Sequence, residues 1–287
     1  MDVLEILKSI FYGIVEGITE WLPISSTGHM ILLEEILPMN VSASFWEVFL
    51  VVVQLGAILA VVLLYWKKLF PLNLSNKNRP LLRYDILQLW FKILVACIPA
   101  AIVGLLFDDW LNEHLYHSVV VAIMLILVGL AFLFLENRNR YQRARVTALS
   151  QITYRDALII GIFQLIAAIF PGTSRSGATI IGALMIGVSR TIAAEFTFFL
   201  AIPVMFGASA LRLGKYVFLD GGTFGMNEIS IMVVGCVVAF LVSLVAIKWL
   251  MGFVRRHTFT AFGIYRIVLG ALVLAYFFVI GPMFGLV

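Results

Sequence analysis

Glu16 and Glu20 stand four residues apart inside an apolar stretch and are followed at once by Pro23, Ser25, Ser26, Thr27 and His29. On a helix that spacing puts both carboxylates on one face. Two carboxylates so close in a medium of low dielectric do not both stay ionised without positive charge nearby. A divalent metal, a shared proton or a guanidinium would each meet that need, and a hard cation such as Mg2+ or Ca2+ suits oxygen-only ligands. A second cluster, Pro171-Gly172-Thr173-Ser174-Arg175-Ser176-Gly177-Ala178-Thr179, drops hydroxyls and one guanidinium into another apolar stretch. A helix start with free N–H groups, flanked by hydroxyls and an arginine, is a phosphate site. Arg holds phosphate in a bidentate way that Lys does not reproduce. The plainer alternative is that Arg175 neutralises Glu16 or Glu20. Neither cluster alone specifies a chemistry. Together they offer metal-binding carboxylates (Glu16, Glu20), an anion clamp (Arg175 with Ser174, Ser176 and Thr179), hydroxyls including Ser25, Ser26 and Thr27, and the titratable His29. That set suits phosphoryl transfer, where catalysis is largely positioning and charge neutralisation.

The rest of the chain is 62% hydrophobic and 13% charged, with mean hydropathy +1.06. This composition marks an all-α polytopic membrane protein made of one membrane domain, residues 1–287, with no room for a sizeable soluble module. Ionisable residues inside such a domain are functional candidates because hydrocarbon disfavours them. The first residues lack a basic region and a small-residue cleavage site, so no removable signal peptide is expected. Cys97 and Cys236 lie in apolar runs without paired spacing and imply neither disulfide nor zinc site. A pI near 9.1 reflects basic cytoplasmic loops rather than nucleic-acid binding.

Apolar runs at about 45–66, 88–107, 118–135, 194–211, 229–250 and 261–284 are long enough to span a bilayer. Two further apolar regions, about 9–37 and 157–190, are interrupted near their middles by the two polar clusters. Their arms of roughly 10–14 residues are too short to cross and predict re-entrant helix hairpins that turn at mid-depth. Lys67, Lys68, Lys77, Arg79 and Arg83 share one loop, Arg138, Arg140, Arg143, Arg145 and Arg155 another, and Arg255 and Arg256 a third. By the positive-inside rule these loops are cytoplasmic, which makes the first hairpin open outward and the second inward. Each half is then a hairpin plus three transmembrane helices, residues 1–145 and 150–287, in an inverted-topology repeat. A constant offset of 148 residues supports it: Gly13 meets Gly161, Glu16 meets Gln164, Pro23 meets Pro171, Ser25 meets Thr173, Ser26 meets Ser174 and Glu47 meets Glu195. Paired broken helices in an inverted repeat predict a site near the midplane. Glu47, Gln54, Gln164 and Glu195 are candidates for supporting that site, and Arg266 is read as a snorkelling or interhelical residue.

At these motifs the sequence resembles the bacterial undecaprenyl pyrophosphate phosphatase family of the bacitracin-resistance type. The match runs through Glu16-x-x-x-Glu20, Leu22-Pro23-x-Ser25-Ser26-Thr27-Gly28-His29, Gln54-Leu55-Gly56, Pro171-Gly172-x-Ser174-Arg175-Ser176-Gly177-Ala178-Thr179 and Gly187-x-Ser189-Arg190. The resemblance implies hydrolysis of a C55 isoprenoid diphosphate lipid to the monophosphate at the outer face of the plasma membrane. It also implies recycling of the lipid carrier for wall synthesis, a divalent-cation requirement, and an active site containing Glu16, Glu20, His29 and Arg175. With it, the expected roles are Glu16 and Glu20 as metal ligands, Ser26 as nucleophile and His29 as its base or as leaving-group acid. A metal-activated water competes with Ser26. Membrane lipid is the expected surrounding partner, and a homodimer is one option for the assembly. A lipid-phosphate transporter using the same midplane site is the alternative, since inverted repeats with half-helices are also a transporter architecture. A phosphatidic-acid-type phosphatase and an intramembrane serine protease lack their motifs here.

Overall fold

The computed structural model describes residues 2–73, 80–115 and 117–280, and regular structure among them is helical. In chain order the helices are α1 (Val3–Thr19), α2 (Ser26–Ile36), α3 (Ala43–Leu64), the single-turn α4 (Trp66–Leu69), α5 (Tyr84–Leu115), α6 (Ser118–Arg138), α7 (Tyr154–Ile169), α8 (Arg175–Met185), α9 (Arg190–Gly214), α10 (Met226–Val254) and α11 (Thr260–Ala275). Among the described residues, six stretches are long and apolar enough to cross a bilayer: 43–64, 84–107, 118–138, 190–219, 226–254 and 260–278. They coincide with the six expected spans, though the end of the last one, like Lys77 and Arg79, lies outside the described residues.

The helices of the interrupted regions begin earlier than their apolar patterns do. Asp2 accepts from Leu4 N to open α1, and Thr153 and Asp156 cap each other's backbone N–H to open α7. Even so, α1 and α7 have 17 and 16 residues and α2 and α8 have 11 each, all short of the roughly 20 that span a bilayer. Each short pair doubles back. The start of α1 meets the residues after α2 through Lys8 Nζ to Pro38 O (2.6 Å), Asn40 N to Glu5 Oε2 (3.0 Å) and Tyr12 Oη to Leu37 O (3.1 Å). The segment leading into α7 meets the residues after α8 through Arg145 N to Gly187 O (2.7 Å) and Ser189 N to Val146 O (2.9 Å).

The three basic segments gather at one end of the bundle. Lys68 pairs with Glu195 at 2.5 Å, Tyr65 and Arg255 line one cavity, and Glu136 binds both Arg190 and Phe259 N. At the opposite end, Glu47 pairs with Arg212 at 3.0 Å. Among the helices, α1 packs on α10, α7 on α5, α3 on both α9 and α10, and α6 on α11. Lipid-embedded helices gain little from hydrophobic exclusion and rely on close backbone approach at small residues. The tightest such approach is at Gly56, where an added Cβ would sit 2.2 Å from the Cys236 carbonyl oxygen. Because that neighbour is backbone, α3 and α10 would have to separate. Gly56→Ala is expected to destabilise the fold by about 1–3 kcal/mol, the usual range for overpacking, read as a lower thermal midpoint of the detergent-solubilised protein.

Candidate active site

Both breaks use the same local device. Ser25 (φ 74°) and Ser174 (φ 69°) are the two non-glycine residues with positive φ among the described residues. Each caps the return helix, its Oγ accepting from the N–H of a glycine three positions on: Gly28 at 3.2 Å and Gly177 at 3.1 Å. Such conformations cost on the order of 1–3 kcal/mol and persist where the surroundings over-determine them. The cap positions correspond at an offset of 149, one more than the 148 shared by Pro23 and Pro171, because the second break holds one residue more between proline and cap. Ser25 therefore matches Ser174 rather than Thr173, and Ser26 matches Arg175 rather than Ser174, these last two being the first residues of the return helices. One repeat places a hydroxyl there and the other a guanidinium.

Broken helices leave carbonyls without helical partners, and where these are buried another donor must meet them. Arg266 of α11 answers that need. Fully buried, it donates to Pro23 O in the first break (3.2 Å) and to Gly172 O (2.8 Å) and Thr173 O (2.9 Å) in the second. A guanidinium carries five donors in a fixed plane, so one side chain can clamp both loops. Of the two readings given to Arg266, the interhelical one holds. Ser176 adds a second tie, its Oγ lying 3.3 Å from Leu22 O.

At the centre of the site is Glu20. Its Oε2 accepts from Ser26 Oγ at 2.5 Å, and its Oε1 accepts from Arg175 Nη2 at 2.9 Å. Arg175 also donates through Nη1 to Thr197 O at 3.1 Å. Glu16 lies against Glu20 in hydrogen-bonding contact, and its buried Oε1 has no partner. The two carboxyls are 1% and 7% exposed, so two acidic groups share one guanidinium in a nearly dry environment. A proton or a further cation is needed to balance them.

The residues present fit a divalent cation. An orphaned carboxylate oxygen on Glu16, beside a second carboxylate, is a hard-oxygen donor set. Among the described residues no cluster of three or more His, Cys, Asp and Glu side chains forms. Mg2+ and Ca2+ both take oxygen donors of this kind.

His29 is placed differently from its expected pairing with Ser26. Its Nδ1 lies 2.7 Å from Ser25 O and its Nε2 lies 2.6 Å from Tyr265 Oη. The hydroxyl of Ser26 faces Glu20 instead, so Glu20 is the group in place to take its proton. Helix geometry explains the difference. Ser26 and His29 are three residues apart on α2, and the imidazole folds back onto its own turn. His29 and Tyr265 border an apolar cavity of about 450 Å3 whose wall includes Ile18, Thr19, Leu22 and Ile24.

The remaining candidates divide. Ser25 and Ser174 have their Oγ engaged as caps, and Ser174 also meets Ser176 at 3.1 Å. Thr179 bonds Arg175 O (2.9 Å) and Thr197 Oγ1 (2.9 Å) and is fully buried, so it braces the start of α8 rather than presenting a hydroxyl to a ligand. Thr27 is half-buried at the start of α2. Gln164 is 2% exposed with both amide atoms unpartnered, as is the Thr173 hydroxyl. Glu47 and Glu195 are not brought to the site; they pair with Arg212 and Lys68 at opposite ends of the bundle. Gln54 sits half-buried on α3. Sequence reasoning passed over Thr197, whose useful group is a backbone carbonyl, and Tyr265, which carried no signal among nine tyrosines.

The family described as bacitracin resistance protein BacA matches residues 9–272. The chain is 59% identical over 277 residues to an undecaprenyl-diphosphatase of Desulfitobacterium hafniense, covering 96% of this chain and 98% of the relative. It is 58% identical over 280 residues to undecaprenyl-diphosphatase 1 of Clostridium acetobutylicum, covering 98% and 100%. An undecaprenyl-diphosphatase of Enterococcus faecalis is 57% identical over 274 residues, covering 96% and 98%.

Proposed function

The chain belongs to the bacitracin resistance protein BacA family, and on that footing we propose that its two breaks form one phosphoryl-transfer site. The activity is hydrolysis of undecaprenyl diphosphate by a multi-pass membrane phosphatase. The observation that carries the site assignment is Glu20, which holds Ser26 of its own break and Arg175 of the other at once.

The short helix pairs are re-entrant hairpins and the halves an inverted repeat. Several contacts support this. α1 of the first half packs on α10 of the second, and α7 of the second on α5 of the first. The repeat partners α3 and α9 pack together, with Glu47–Arg212 at one end and Glu195–Lys68 at the other. The first hairpin closes near α10's beginning, where Ser9 Oγ donates to Ile231 O, and the second closes among the basic segments. With the basic end cytoplasmic, the first hairpin and the cavity beside His29 open toward the extracytoplasmic side of the bacterial plasma membrane. A site there would return the lipid carrier to monophosphate form for wall synthesis.

In the reaction, Glu16 and Glu20 would hold a divalent cation that neutralises the diphosphate and polarises its terminal phosphoryl group. Arg175 exchanges Glu20 for the terminal phosphate, with the free N–H groups at the start of α8 beside it. Ser26 Oγ attacks the terminal phosphorus while its proton passes to Glu20 Oε2. The bond to the bridging oxygen breaks, and the lipid monophosphate leaves with that electron pair. Water then attacks the phosphoserine, giving its proton to His29 Nε2, and Ser26 Oγ departs with the proton from Glu20. Inorganic phosphate is released, and His29 gives up its proton to solvent. The transporter alternative lacks comparable support, since the relatives are named for hydrolysis.

Ser26→Ala tests the covalent route. It is expected to lose roughly a thousandfold or more of kcat, as removal of a nucleophile does, and to abolish the acid-stable phosphoenzyme trapped with terminally labelled substrate. Wild-type turnover in Ser26→Ala would assign the attack to water.

A further inference from the structure

Tyr265 and Arg266 are neighbours on α11 with opposite surroundings. Arg266 is fully buried against the breaks, whereas Tyr265 is 44% exposed and lines the apolar cavity. The Tyr265 ring is parallel to the His29 ring, 2° between planes and 5.7 Å between centroids, and its hydroxyl lies 2.6 Å from Nε2. At the other nitrogen, Nδ1 lies 2.7 Å from Ser25 O. A carbonyl only accepts, so Nδ1 carries the hydrogen. In a neutral imidazole Nε2 then holds the lone pair, and the Tyr265 O–H donates to it.

These contacts have different permanence. Ser25 is the strained cap of α2, fixed by the Gly28 N–H and by the surrounding break. The Nδ1 bond is therefore part of the frame. Tyr265 is the movable partner, half-exposed beside the cavity, with a hydroxyl that can rotate to any acceptor that arrives.

We propose that Tyr265 is a positioning residue that holds the His29 ring with its Nε2 lone pair directed at the cavity, and yields that lone pair to the attacking water when the tyrosine hydroxyl rotates away. The inference rests on the reading of His29 as the base that receives water's proton. Without Tyr265 the imidazole keeps only the Ser25 anchor at Nδ1, and its ring is free to swing about that bond, so the proton acceptor is misplaced in part of the population. Binding of the lipid, which depends on the apolar wall and on Arg175, is left alone.

Tyr265→Phe keeps the ring, the stack and the cavity wall. It is expected to lower kcat roughly tenfold, a fraction of what positioned acid–base groups contribute, with KM within about twofold. In a His29→Ala background the same change is expected to have no further effect, since its target is gone. Independently of activity, 15N spectra of histidine-labelled protein, with the His29 signals assigned by their loss in His29→Ala, should show Nε2 as a single hydrogen-bonded acceptor in the wild type and a shifted or broadened Nε2 signal in Tyr265→Phe. The proposal is overturned if Tyr265→Phe retains the wild-type Nε2 signal, or if it slows the His29→Ala enzyme further. Full activity of His29→Ala would instead remove the base reading itself, and the spectra would still decide whether Tyr265 holds the ring.

Discussion

Arg175→Lys is expected to lower kcat/KM for undecaprenyl diphosphate at least about a hundredfold, or some 2.7 kcal/mol of transition-state stabilisation. Charge is conserved in this variant, so the loss comes from geometry. The guanidinium bridges Glu20 Oε1 and Thr197 O through two different nitrogens, a fork that an ammonium on a flexible stem does not reproduce. In phosphoryl transfer, charge spreads over the equatorial oxygens as the bonds reorganise, and arginines placed there contribute on the order of a thousandfold or more. Lys at position 175 can still neutralise Glu20, so the fold is expected to survive. Steady-state phosphate release, together with an unchanged thermal midpoint, checks both parts. Near-normal kinetics would reduce Arg175 to a counter-ion.

Glu20→Gln is expected to be the more severe change, a loss of roughly a thousandfold or more in kcat, comparable to removing a member of a catalytic unit. The amide is nearly isosteric and can still accept from Ser26. It takes no proton, however, and lacks the charge that balances Arg175. Glu16 remains one residue-turn away with its free Oε1, so the guanidinium keeps a carboxylate in reach and the site is not left with an unpaired buried cation. For that reason the loss should appear in kcat rather than in the amount of folded protein, which purification yield and thermal midpoint would verify.

Much of the site was legible in the sequence because the membrane enlarges the signal. Carboxylates, hydroxyls and an arginine stand out where neighbours are Ile, Leu and Phe, and Pro23 and Pro171 mark where helices stop. The six spans were readable from length and apolarity for the same reason. What escaped lies in local geometry. The one-residue difference between the breaks, which sets Ser26 opposite Arg175, depends on where positive φ falls, and Ser25 and Ser174 carry no special label for it. The partner of Ser26 depended on rotamer direction along one turn of α2, which spacing alone does not give. Glu47 and Glu195 satisfied the repeat pattern and were read as supports for the site. Equivalence under a repeat does not imply nearness to its axis, and both end in ion pairs at the rims of the bundle. Arg266 was visible as a charge in a span, but its five-donor clamp on two distant loops exists only once the chain is folded.

The central claim is that the two breaks act as one unit through the Glu20–Arg175 contact. A double-mutant cycle in detergent-purified protein, measuring phosphate released from undecaprenyl diphosphate by wild type, Glu20→Gln, Arg175→Lys and the double variant, tests it most directly. If the account is right, the wild type turns over, each single variant loses most activity, and the double is little worse than the poorer single, because residues that act together lose their contribution together. Losses that multiply, or a purified wild type that releases no phosphate, would contradict it.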